Sequence, residues 1–141
     1  MPTHPSTAEQ SLDARATPQE CFDAVRDFAA YPEWSSNVES IRLLGDDVVE
    51  FSVDAKVRKV RYVLRYFFDE PARVWWEYVE GDVKSVEGEY RFEEVEPGLT
   101  RMTYRLTMDP GAFLPGPIKK VLVNVVMKGS VEDLKRHVEA S

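Results

Sequence analysis

Enzymatic chemistry needs nucleophiles, bases or metal ligands held close together, and this sequence offers few of them. It has two histidines, His4 near the start and His137 near the end. His137 reads as a solvated residue close to a helix C-terminus, and no metal site is expected from either. The single cysteine, Cys21, falls on an apolar helical stripe and reads as a small core residue, not as a nucleophile. No serine sits in a nucleophile-elbow sequence, and no glycine-rich phosphate loop occurs. Glu80 has the parity of an inward residue but stands beside Gly81 in a turn, so an inward general base is missing.

Tyrosine and tryptophan are what the sequence supplies. Tyr62, Tyr66, Trp76, Tyr78, Tyr90 and Tyr104 all fall on the inward parity of alternating segments. Large aromatics fill sheet cores in many proteins, with their polar tips at the rim. Several inward hydroxyls together ask for more, because each buried hydroxyl needs a partner. A cavity with apolar walls and a few hydroxyls meets that need with water or a ligand. Phe51, Val53, Leu64, Phe92, Met102, Leu106 and Met108 are the expected walls, with Leu122 and Val125 facing the space from a C-terminal helix. Asn124 is either solvent-facing or a donor into that space.

The elements that must position these residues are legible in the spacing. Residues 1–9 read as a tail, and Ser11 to Ala16 as a short first strand. Thr17-Pro18-Gln19-Glu20 is a capping box with proline at the first helical position. Cys21, Phe22, Val25, Phe28 and Ala29 continue at helical spacing. Tyr31-Pro32 is expected to end that helix, because a residue before proline avoids helical geometry, and Pro32 to Ser36 suggests one more short turn or helix. Alternation then begins: Val49, Phe51 and Val53; Val60 to Phe68; Val74 to Tyr78; Val86 to Phe92; Met102 to Met108. Short turns at Gly81-Asp82 and Glu96-Pro97-Gly98 make this an antiparallel meander with one apolar face. Gly88 inside a strand marks a bulge or a tight bend. The alternate parity carries Arg61, Arg65, Arg101 and Arg105 opposite Glu87, Glu89 and Glu93, a solvated face with cross-strand ion pairs.

A one-sided apolar sheet needs a cover. Ile118 to Ala140 reads as a helix, apolar nearly all round over Val121 to Met127. Either it kinks at Gly129-Ser130, or both faces are buried, one of them by Trp34 or a partner chain. A homodimer through Val123 and Met127 is one form of the second option. The preceding loop, with Phe113 and Leu114 between proline and glycine breakers, is either a lid or a plain connector. The fold class is therefore α+β: a curved antiparallel sheet of six to seven strands around a long C-terminal helix, with two short helices after the first strand. A single domain is expected over residues 10–141.

This order of elements, with Ala16 to Phe28, then Tyr31-Pro32-Glu33-Trp34, then Gly81 to Phe92 and the closing Leu134 to Glu139, resembles the polyketide cyclase and dehydrase-like branch of the START-related (SRPBCC, helix-grip) superfamily. The group includes coenzyme Q-binding proteins and the birch-pollen allergen type. The resemblance implies a helix-grip fold, and members that bind lipids, quinones, hormones or polyketides. It carries no catalytic signature onto this chain; Tyr31, Pro32 and Trp34 match its motif as structural residues.

Composition narrows the partners. The chain has 141 residues and a net charge of −7, which opposes attraction to nucleic acid phosphates. No apolar run of about 18 residues exists to span a bilayer, although Lys119-Lys120 could touch a membrane surface. One cysteine and no N-terminal apolar segment point to a reducing cytoplasm. No cofactor is expected. Three functions compete: binding an apolar small molecule, a cyclase or dehydratase using tyrosine hydroxyls, and a protein-interaction module.

Overall fold

The computed structural model describes residues 6–36, 38–54, 59–109, 111, 117 and 131–140. Seven strands form one sheet: β1 (Ser6–Ala14), β2 (Val38–Gly45), β3 (Val48–Asp54), β4 (Lys59–Asp69), β5 (Arg73–Gly81), β6 (Ser85–Glu96) and β7 (Leu99–Asp109). Their spatial order is β1-β7-β6-β5-β4-β3-β2, every neighbouring pair antiparallel. Helices α1 (Pro18–Arg26) and α2 (Tyr31–Trp34) connect the two edge strands, with a 3-10 turn at Phe28–Ala30 between them. A further helix, α3, runs over 131–139. This is the expected helix-grip α+β architecture.

Alternation places the core. Val49, Phe51 and Val53 are buried while Val48, Glu50 and Ser52 are less so. The same holds for Met102, Tyr104, Leu106 and Met108 against their neighbours. Each fully buried aliphatic or aromatic side chain contributes about 1.5–3 kcal/mol relative to exposure, and Phe22, Met102, Leu106, Met108 and Leu134 are among the largest. In α3 the buried residues Val131, Leu134 and Val138 recur at helical spacing and belong to the same core.

Polar ties fix α3. The Asp133 carboxylate accepts from the Ser36 backbone N–H at 2.9 Å and from its hydroxyl at 2.7 Å. Lys135 donates to the Asp13 carbonyl at 2.7 Å, and Glu139 accepts from the Arg15 N–H at 2.9 Å. One end of the helix is thus joined to the turn after α2 and the other to the end of β1.

Several expectations need correction. β1 starts at Ser6, pairing with Met108, so residues 6–9 belong to the sheet; polar residues hide the strand because it lies at the sheet edge. The capping box holds, with Glu20 N–H to Thr17 Oγ1 at 3.1 Å and Thr17 N–H to Glu20 Oε1 at 2.9 Å. But α1 ends at Arg26, well before the proline, and Tyr31 is itself helical at φ −52°, ψ −44°. Pro32 stands early in α2, where its missing N–H has no helical partner to lose. Of the two readings of Gly88, the bulge is removed, because it pairs in regular register with Trp76 and Leu106. The bulges lie elsewhere, at Val63/Leu64 and Glu94/Glu96 among others. The ion pairs also differ. Arg101 bonds Asp13 on β1, and Arg61 bonds Glu50 and Glu80. The pairing of Arg101 with Glu93 and of Arg105 with Glu89 is one of backbone register. The proposed kink at Gly129, the lid around Phe113, Asn124, and the dimer residues Val123 and Met127 lie outside the described residues.

Candidate functional site

β5 and β6 pair only from Arg73–Arg91 to Trp76–Gly88. Beyond that point β5 stays with β4 as far as Gly81, while β6 stays with β7 from Ser85 onward. The sheet therefore divides, and its inner face borders a half-open cavity of about 50 Å³. At roughly 10–15 Å³ for each water, that is room for a few.

Most of the expected lining residues are there. Phe51 and Val53 come from β3, Tyr62, Leu64 and Tyr66 from β4, Trp76 from β5, Tyr90 from β6 and Tyr104 from β7. Their rings touch in series: Phe51 on Tyr62 at 5.5 Å, Tyr66 on Trp76 at 5.5 Å, Trp76 on Tyr104 at 5.6 Å and Tyr104 on Tyr90 at 4.8 Å between centroids. Met102 and Leu106 are fully buried on the same face, but in the core and not on the cavity wall. Tyr78 has the right parity, yet it is half-buried and donates its hydroxyl to the Val83 carbonyl. Leu122 and Val125 lie outside the described residues.

Tyr31, Trp34, Ser35, Val38 and Val86 complete the wall. The first three belong to α2 and its C-cap, which close one side of the sheet. The short 3-10 turn re-aims the chain so that Tyr31 packs on Phe51 at 5.9 Å and on Trp34 at 4.9 Å. Behind Trp34, the imidazole of His137 stacks at 5.5 Å and 14°; it is half-buried by that contact and not simply solvated.

Hydroxyls inside the site are mostly engaged. Tyr31 donates to the Val25 carbonyl, one of the last in α1. The Tyr66 hydroxyl nearby works in the opposite sense to burial, favouring ionisation of Tyr31, but burial outweighs it. Burial, reinforced by neighbouring tyrosines, pushes the hydroxyl pKa values of Tyr31, Tyr62 and Tyr66 well above the ordinary tyrosine value. At neutral pH these groups are protonated hydrogen-bond partners and not bases. Among the described residues the wall has no carboxylate, imidazole or cation. Glu80 is no exception, because the Val63/Leu64 bulge shifts register there and Glu80 bonds Arg61 in solvent at 2.9 Å. No group of His, Cys, Asp and Glu able to hold a metal occurs among the described residues.

A second, wider hollow of about 440 Å³ lies at the same parting of strands, lined by Arg73, Glu77, Glu87, Glu89, Arg91 and Arg105. It is open, and two of its arginines are already bound to Glu89. Charged groups that satisfy one another in solvent make a weaker case for a ligand site than a buried aromatic wall.

Residues 6–139 match the family model for polyketide cyclase / dehydrase and lipid transport. The chain belongs to this family. Solved structures agree with the polyketide cyclase/dehydrase fold. A START superfamily protein from Mycobacterium smegmatis is 18% identical, with 95% of this chain and 97% of that chain covered at a TM-score of 0.83. The Zhui aromatase/cyclase from a Streptomyces species is 19% identical, covering 96% and 94% at a TM-score of 0.81. A Thermus thermophilus protein is 22% identical, covering 96% and 95% at 0.79. At these identities the likeness establishes the fold alone. Among curated proteins none matches significantly. Among the described residues no helix is long and apolar enough to cross a membrane.

Proposed function

We propose that this protein binds an apolar small molecule, a lipid, quinone or polyketide-like compound, in the inner cavity. The observation that supports this most is that a buried series of Tyr and Trp rings surrounds space instead of filling it. Apolar walls with a few polar groups are what small-molecule sites require. The family description, which joins polyketide cyclases with lipid transport, supports the same class.

A cyclase or dehydratase reading draws on the same hydroxyls. Protonated tyrosines can polarise a carbonyl as donors, but cannot remove a proton at neutral pH, and no described wall residue takes that role. Binding is therefore the better-supported reading. Native mass spectrometry of freshly purified protein, followed by denaturing extraction, tests it. A co-purifying apolar compound near one-to-one stoichiometry is expected. An empty mass together with no uptake of small aromatic compounds would sink it. Replacing Tyr62, Tyr66 or Tyr104 with Phe separates the two readings: affinity changes modestly if the protein only binds, and turnover falls steeply if it catalyses.

A further inference from the structure

Among the described residues, every buried side-chain nitrogen or oxygen has a hydrogen-bond partner except two. Both are indole N–H groups, on Trp34 and Trp76, and both residues line the same cavity. An indole nitrogen only donates, so its partner must be an acceptor. Leaving such a donor buried and unpaired is unfavourable, and native structures rarely do so without a reason.

Trp76 is not free to turn elsewhere for a partner. It is 4% exposed, and its ring is held among Tyr66, Tyr90 and Tyr104 at centroid distances of 5.5, 5.8 and 5.6 Å. The edge of the indole lies over Gly88, with Cε2 3.3 Å from where a β-carbon would be. Trp34 is held by ring contacts with Tyr31 at 4.9 Å and His137 at 5.5 Å. The neighbouring Tyr31 hydroxyl donates to the Val25 carbonyl, and neither indole N–H reaches an acceptor among the described residues.

We propose that Trp34 and Trp76 are the specificity residues of the cavity, and that its ligand is a neutral apolar molecule bearing carbonyl-type acceptor oxygens. This inference rests on the cavity-binding reading and narrows it. A pure hydrocarbon or saturated acyl chain would evict water from the wall and leave both donors unpaired. A carboxylate would supply acceptors but would be buried without a countercharge, since no cation lines the described wall. A ketone, quinone or ester oxygen meets both conditions.

Equilibrium dialysis with cyclopentane and cyclopentanone, which share one ring and differ by a carbonyl and are small enough for a cavity of a few waters, tests this on the full chain. The wild-type protein is expected to favour cyclopentanone about tenfold, equivalent to ~1.4 kcal/mol. Trp34→Phe and Trp76→Phe should each reduce that ratio to about threefold or less, whatever happens to the cyclopentane affinity. Two variants are used because Trp76 is deep in the core, whereas Trp34 is only partly buried on a four-residue helix. If the wild type binds both compounds equally, or both folded variants keep the full ratio, the inference is overturned while the cavity reading stands. If neither compound binds, the cavity reading falls and takes the inference with it.

Discussion

The Trp76 indole rests on Gly88: its Cζ2 lies 2.7 Å from the position a β-carbon at residue 88 would occupy, and the Arg105 carbonyl oxygen is closer still. Real contacts of a β-carbon are longer than this, and one of the two obstacles is backbone, so neither a rotamer change nor a small shift relieves both. Gly88 is therefore a consequence of the cavity wall. Gly88→Ala should cost about 1–3 kcal/mol by overpacking and displace Trp76. Urea denaturation measures the first effect. A loss below about 0.5 kcal/mol, the range of ordinary surface changes, would mean that the ring and the strand are not locked together.

The buried tyrosines make an ordered prediction. Tyr31→Phe removes the donor to the Val25 carbonyl. Leaving that buried acceptor unpaired costs about 1–3 kcal/mol. Tyr66→Phe leaves Tyr31 bonded to Val25, so its cost should be nearer ~0.5–1.5 kcal/mol. Chemical denaturation of both variants gives the order directly; a Tyr66→Phe protein less stable than Tyr31→Phe would show that the Tyr31–Val25 bond is not the stronger tie.

Parity accounts for what could be read from the sequence. Strand alternation assigns Tyr62, Tyr66, Trp76, Tyr90 and Tyr104 to one face, and that face borders the cavity. Parity says nothing about position along a strand, which is why Met102 and Leu106 are inward yet in solid core. It also fails past a bulge, as at Glu80 opposite Val63. The Tyr31–Trp34 contribution was illegible for another reason. A four-residue helix has too little periodicity to show which face it buries, and its docking depends on β2 and β3, which lie later in the chain. The motif Tyr31-Pro32-Glu33-Trp34 was a sufficient signal that something is fixed there, but not that it forms wall.

Cys21 provides a check on α1. Burial, with a smaller contribution from nearby Glu20, pushes its thiol pKa up to about 12. The thiolate is the reactive form, so native protein at pH ~8 should resist alkylation by iodoacetamide, while urea-unfolded protein, with a thiol near the usual ~8.5, should react readily. Fast native labelling would show that α1 does not bury this face.

Glu89 supports a prediction in acid. Its partial burial raises the carboxyl pKa, but hydrogen bonds from Arg91 and Arg73 outweigh that and hold it below the ordinary glutamate value. A folded pKa below the unfolded one means the unfolded chain takes up the proton more readily, so protonation favours unfolding. The stabilisation is fully present above the unfolded value of ~4.3 and is lost as pH falls through the folded one. Glu89→Gln should therefore be less stable than wild type near neutral pH, with the gap narrowing steadily once pH drops below ~4. Comparing urea midpoints of the two proteins at each pH cancels the similar acid response of Glu139, whose carboxyl is held low by the Arg15 N–H and Lys135 in both. A gap that stayed constant down to pH ~2 would show that the Arg73–Glu89–Arg91 cluster on the outer face gains nothing from the charge of Glu89.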